Sequence, residues 1–177
     1  MSLSPEFREQ VRQRARCACE FCGVSETDVG GLLTIDHFQP QSKGGSDELE
    51  NLIYSCASCN QYKQDYWPTS ESDLRLWNPR EESAAAHFVE LNDGRVVAIS
   101  PSGEFTIRRL RLNRMPLVGY RMRRRQRTEE IRLLSRYRDL VQLLSQVNGQ
   151  LKELVLEQQQ LLQEQQDLLR ILLKRQD

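Results

Sequence analysis

LLTIDHFQPQSKGGSDELENLIYSCASCNQYK, residues 32–63, is the stretch on which the fold turns. Residues 32–38 are apolar and β-branched and read as a strand. Residues 39–50 contain Pro40, Gly44, Gly45 and Asp47, all turn formers, and read as a loop. LIYS at 52–55 gives a second, short strand, and a helix is expected from about Ala57, with Asn60, Lys63 and Gln64 on neighbouring faces. The local order is strand, loop, strand, helix.

Two C-x-x-C pairs bracket this unit: Cys19/Cys22 and Cys56/Cys59, with 33 residues between them. Four thiolates at roughly 2.3 Å make a closed tetrahedral Zn²⁺ site. Such an ion would tie together the two ends of a domain too small to have much core. CysGluPheCysGly at 19–23 has the form of a knuckle, two thiolates on a tight turn closed by a glycine. An odd, clustered set of five cysteines suits metal ligation in a reducing compartment better than a disulfide framework. Cys17, the fifth, has either no role or that of a competing ligand.

DHFQPQSKGGSD at 36–47, NL at 51–52 and CASCNQYK at 56–63 together resemble the HNH endonuclease family in its zinc-containing, four-cysteine branch. The resemblance covers roughly residues 8–66 and implies the ββα-metal fold. It implies a DNA nuclease in which Asp36 and Asn60 hold a catalytic Mg²⁺ or Mn²⁺, hard ions suited to oxygen ligands and open positions. His37 fits the general base, because imidazole titrates near neutrality and can accept a proton from water. Asn51 would orient His37 or brace the loop. Lys63 would contact a phosphate. One residue departs from the family's commonest pattern: its last histidine is Asn60 here, a weaker oxygen ligand. Gly44 and Gly45 are either turn residues or places where backbone comes close to a phosphate.

The formal net charge of zero hides an asymmetry. Residues 104–127 hold nine arginines and one glutamate, while each of the other segments is net acidic. This run, including Arg108, Arg109, Arg111, Arg121, Arg123 and Arg124, is a candidate phosphate-binding surface. Nothing in it suggests base-specific readout.

Residues 5–16 read as a helix with Pro5 in its first turn, and 67–83 as a linker or irregular lobe. Residues 87–91 and 95–99 flank AsnAspGly at 92–94, a hairpin signal with a type I′ turn. SerProSerGly at 100–103 reads as a further turn leading to a strand at 104–109. His87 is taken as structural. From about Arg123 the pattern is helical. Leu140, Leu144, Val147, Leu151, Leu154, Leu161, Leu168 and Leu172 keep alternating spacings of four and three, with Gln158 and Gln165 as polar members of the seam. Val141, Val155, Leu162 and Leu169 form a second row beside it, wider than a strict two-helix seam needs.

The expected class is α+β: a ββα-metal module at 1–66 stapled by four cysteines, a small β-hairpin and basic extension at 67–122, and a coiled-coil oligomerisation helix at 123–177. The N-terminus is charged where a signal peptide is apolar, and no apolar run approaches a membrane span, so a cytoplasmic protein without membrane contact is expected. The expected function is a metal-dependent DNA endonuclease that forms homo-oligomers. The alternatives are a non-catalytic zinc module that binds nucleic acid and recruits a partner through its coiled coil, and a scaffold whose working part is the helix.

Overall fold

A computed structural model describes residues 3–70 and 72–174, the side chains of 171–174 excepted. The chain forms two compact units, 1–125 and 126–177.

The first helix, α1 (Pro5–Arg14), begins where Ser4 accepts a hydrogen bond from the Phe7 amide and Pro5 fills the first turn. It buries Val11 against Leu52 and Tyr54. A short helix α2 (Glu26–Val29) is closed by a capping box of Ser25 and Asp28. Strands β1 (Thr34–His37) and β2 (Leu52–Ser55) pair antiparallel, with Thr34 opposite Ser55 and His37 opposite Leu52. Helix α3 (Ala57–Lys63) follows at once. The order strand, loop, strand, helix is therefore present, with β1 shorter than the apolar run around it. All four β2 residues are buried. Side chains alternate across a strand, so Leu52 and Tyr54 meet α1, while Ile53 enters the larger core with Cys19, Cys56, Trp77 and Leu110.

Glu26 ties α1 and α2 to this strand pair. It accepts from Arg12 through both oxygens, at 2.6 and 2.7 Å, and from the Tyr54 hydroxyl at 2.5 Å. The Arg12 contact, then that of Tyr54, holds its carboxyl down at about 2. A folded-state pKa below the unfolded one gives stability that is complete above the ordinary carboxylate range and lost as pH falls towards 2. Glu26→Gln should therefore flatten the acid limb of a Tm-against-pH profile while leaving its neutral side sloped as before.

Residues 67–83 are more than a linker. Leu76, Trp77 and Asn78 are buried, and Trp77 stacks edge-on against Phe88 with ring centroids 5.2 Å apart. Strands β3 (Phe88–Glu90) and β4 (Val96–Ala98) form the expected hairpin. Its turn is not type I′. That turn needs positive φ at two central residues, and across 92–94 only Gly94 has it, at 78°. The three-residue loop instead ends on a left-handed glycine, packed so closely that an added Cβ would lie 2.7 Å from the Val118 carbonyl.

The strand expected at 104–109 is a helix. In α4 (Pro101–Arg109) Ser100 is the N-cap, accepting from the Gly103 amide at 3.0 Å, and Pro101 stands in the first turn. The Ser-Pro signal read as a turn is thus a helix start. Thr106 is fully buried in α4, accepts from the Trp77 amide at 2.8 Å and donates to the Ser102 carbonyl at 2.7 Å. The last helix, α5 (Met115–Lys174), starts eight residues earlier than the arginine-rich pattern suggested, because its first turns bury Leu117, Val118 and Arg121. Its sequence from Leu140 to Leu169 is helical throughout. Leu172, the final seam position, lies on α5, but its side chain is outside the described residues. Among the described residues, no helix is long and apolar enough to cross a membrane.

Candidate metal centre and active site

The sulfur atoms of Cys19, Cys22, Cys56 and Cys59 lie within 4.8 Å of one another, and all four residues are buried. A tetrahedron with bonds of roughly 2.3 Å has edges of about 3.8 Å, and Cys22 and Cys56 approach to 3.7 Å. The set fits a Zn²⁺ ion. Two turns build it. In the first, Gly23 takes φ 75° and its amide donates to the Cys19 carbonyl at 2.8 Å, turning Cys22 back towards Cys19. In the second, Cys56 ends β2 and precedes α3, which places Cys59 one turn along the same helix face.

Four thiols this close cannot all ionise without a cation. Contacts within the group, that with Cys19 foremost, push Cys59 well up and Cys56 well down. Arg114 adds positive charge from outside, its guanidinium 3.7 Å from the Cys59 sulfur and 3.9 Å from that of Cys56. Burial opposes the charge on Arg114 most strongly, but the cysteine sulfurs beside it, that of Cys59 first, together hold the guanidinium above its ordinary range. No spacing rule could find Arg114, since it reaches the cluster from beyond α4.

His37 ends β1, and its Nε2 lies 2.7 Å from Asp47 Oδ1. The Gln41 amide donates to the same oxygen at 2.7 Å. The His37 contact is the main cause of a lowered Asp47 pKa. In the sequence Asp47 stands out only as a turn former and as the last residue of the stretch 36–47, with no signal that it meets His37. Asn51 has a different task. Its Oδ1 accepts from the Gln39 amide at 2.8 Å, and its Nδ2 donates to the carbonyls of Gln39 at 3.0 Å and Ser46 at 2.8 Å. Its side-chain hydrogen bonds therefore brace the loop. Gly45 permits this closure: a Cβ there would lie 1.8 Å from the Gln39 carbonyl oxygen. The close approach at Gly45 is thus to the chain's own backbone.

Thr34 and Asp36 share one face of β1, and α3 lies against it. Asn60 Nδ2 points to Thr34 Oγ1 at 3.4 Å, which leaves its amide oxygen for another partner. The Asp36 side chain is 16% exposed and its Oδ2 lies 3.0 Å from the Lys63 ammonium. One carboxylate oxygen and one amide oxygen on a common face are hard donors that suit Mg²⁺ or Mn²⁺.

Lys63 corrects an expectation. It is fully buried, donates to the His37 carbonyl at 2.7 Å and neutralises Asp36, so it cannot reach a phosphate. A buried ammonium needs a paired charge, and Asp36 is that charge. Arg121 corrects another. It is 4% exposed and donates to the carbonyls of Gly94 at 3.0 Å and Leu112 at 2.9 Å, closing the hairpin onto α5. Arg109 is half-buried, over the Tyr66 ring at 4.6 Å and bonded to the Lys63 carbonyl at 3.1 Å. Arg111 lies over Tyr62 at 4.8 Å, and Arg124 pairs with Glu90 at 2.6 Å. Arg108, Arg111, Arg123 and Arg124 are exposed. His87 is buried, with Nδ1 2.6 Å from Ser100 Oγ, which accords with a structural role.

The HNH endonuclease family model matches residues 19–65, a span that holds all four cysteines, β1, the loop, β2 and α3. No curated protein matches the chain.

Proposed function

We propose that this chain, which carries an HNH endonuclease domain at residues 19–65, hydrolyses phosphodiester bonds in DNA with one divalent cation. The observation that carries this reading is the 2.7 Å contact between His37 Nε2 and Asp47. An ionised carboxylate only accepts hydrogen bonds. Asp47 therefore keeps the proton on Nε2 and leaves the Nδ1 lone pair basic. Nδ1 takes the proton of the attacking water, and Asp47 stabilises the imidazolium that results. Asn51 and Gly45 hold the loop that carries Asp47, so they set the angle of the imidazole indirectly. Mg²⁺ or Mn²⁺ bound by Asp36 and Asn60 would supply the Lewis acidity that offsets charge on the phosphate. Zn²⁺ on the four cysteines is structural, since no ligand position remains open. The protein works as a homo-oligomer joined through α5, in the reducing cytoplasm where the thiolates persist. The test is nicking of supercoiled plasmid, with and without Mg²⁺ or Mn²⁺, followed by the same assay on RNA and single strands.

One observation favours a second reading, a non-catalytic module that binds nucleic acid. The Lys63 ammonium already neutralises Asp36 at 3.0 Å, which weakens the attraction of that carboxylate for a metal ion. Absence of cleavage with every metal and substrate, together with retained DNA binding, would select it.

The exposed arginines are the substrate contacts in either reading. Arg108→Ala and Arg123→Ala should each reduce the slope of log affinity against log salt by about one. Arg121→Ala should instead lower Tm, because it strands two buried carbonyls.

A further inference from the structure

Along α5 the apolar seam splits into two alternating positions. Leu140, Val147, Leu154, Leu161 and Leu168 occupy one, and Leu144, Leu151, Gln158 and Gln165 the other. Each of these leucines and valines remains at least 50% exposed in the single chain. The two glutamines occupy successive layers of the same position. A glutamine amide carries both a donor and an acceptor, so it is satisfied by another amide and left unpaired against leucine.

We infer that α5 assembles with copies of itself in parallel and in register, so that Gln158 faces Gln158 and Gln165 faces Gln165. This deepens the proposed homo-oligomer and rests on it. The alternatives fail on the same residues. In an antiparallel pairing each seam position packs against the other position of its partner, so Gln158 and Gln165 both face the row of Leu140, Val147, Leu154, Leu161 and Leu168, which holds no polar residue. A parallel pairing shifted by one heptad matches Gln158 to Gln165 but sets the partner's remaining glutamines against leucines. Of these arrangements only the parallel in-register one covers the seam leucines and pairs both glutamine amides, the device by which a polar seam residue selects register. Its consequence is functional: in every copy the nuclease unit is joined to the same end of the bundle, so several single-strand cutting sites are tethered together at high effective concentration.

The experiment uses the full, zinc-loaded chain carrying Leu140→Cys or Leu168→Cys, with the unaltered chain as control and sedimentation to give the mass of each. Under mild oxidation each variant should cross-link to itself, and an exchanged mixture carrying different tags should give no 140–168 product. Cross-linking only in the mixture, as a 140–168 product, would overturn the parallel arrangement. A monomeric mass for the unaltered chain at micromolar concentration would overturn self-association itself. Both outcomes are read without an activity assay. Cleavage that fails in a chain of the expected mass and cross-link pattern counts against the nuclease reading alone.

Discussion

His37→Ala should lower metal-dependent nicking of plasmid by about 10²- to 10⁴-fold, the range that a positioned general base contributes, with Tm and zinc content unchanged. The side chain is partly exposed at the end of β1, its ring contacts Asp47, and it belongs to neither core. Loss of the ring therefore removes chemistry and spares the fold. Asp47→Asn gives a companion result. The amide can donate as well as accept, so the imidazole is no longer held as the Nε2 tautomer. The rate should fall by roughly 10- to 100-fold, as when partners that orient a histidine are removed. Equal cleavage by His37→Ala and the unaltered chain would remove His37 from the mechanism and require another group to activate the water.

Removal of zinc should unfold the first unit outright. Binding of structural Zn²⁺ is worth about 10–16 kcal/mol in zinc-finger peptides at neutral pH, against a total domain stability of roughly 5–15 kcal/mol. Here the four sulfurs sit inside the main core, beside Ile53, Trp77 and Leu110. Without the cation they become four mutually crowded thiols that separate the strand pair from the knuckle. Chelation, or Cys59→Ser, should abolish the near-UV signal of Trp77 and its cooperative transition. A Tm that is the same with and without chelator would refute a structural role for the cluster. Arg114→Ala should weaken zinc retention far less, because it adds charge near the sulfurs without ligating the metal.

How much of this was legible differs from residue to residue. The C-x-x-C pairs could be read because each needs only a local turn and a thiolate, and the structure brings all four sulfurs within 4.8 Å. The strand, loop, strand, helix order could be read because turn formers interrupt a β-branched run. At 100–109 the same logic failed: Ser100 and Pro101 suit both a turn and a helix start. Burial of Thr106 under Trp77, 29 residues away, coincides with the helix. The type I′ turn failed for a similar reason, since AsnAspGly also suits a three-residue loop, and Gly94 is pinned by the backbone of α5.

Charge was the least legible property. Nine arginines in 24 residues looked like one phosphate-binding face, but a formal charge does not say where a side chain points. Arg121 turns inward to carbonyls, Arg114 to sulfur and Arg109 to Tyr66 and the Lys63 carbonyl, while Arg108 and Arg123 remain outside. The same holds for Lys63, drawn inward by Asp36, and for Asp47, which meets His37 where Asn51 was the candidate partner. Residue type and short spacing were enough for the zinc ligands, the ββα order and the helical seam, because each depends on neighbours within a turn or a strand. Which polar groups face one another across the fold was decided only when distant segments packed, because pairing buried charges and carbonyls is a property of the closed core and of no single segment.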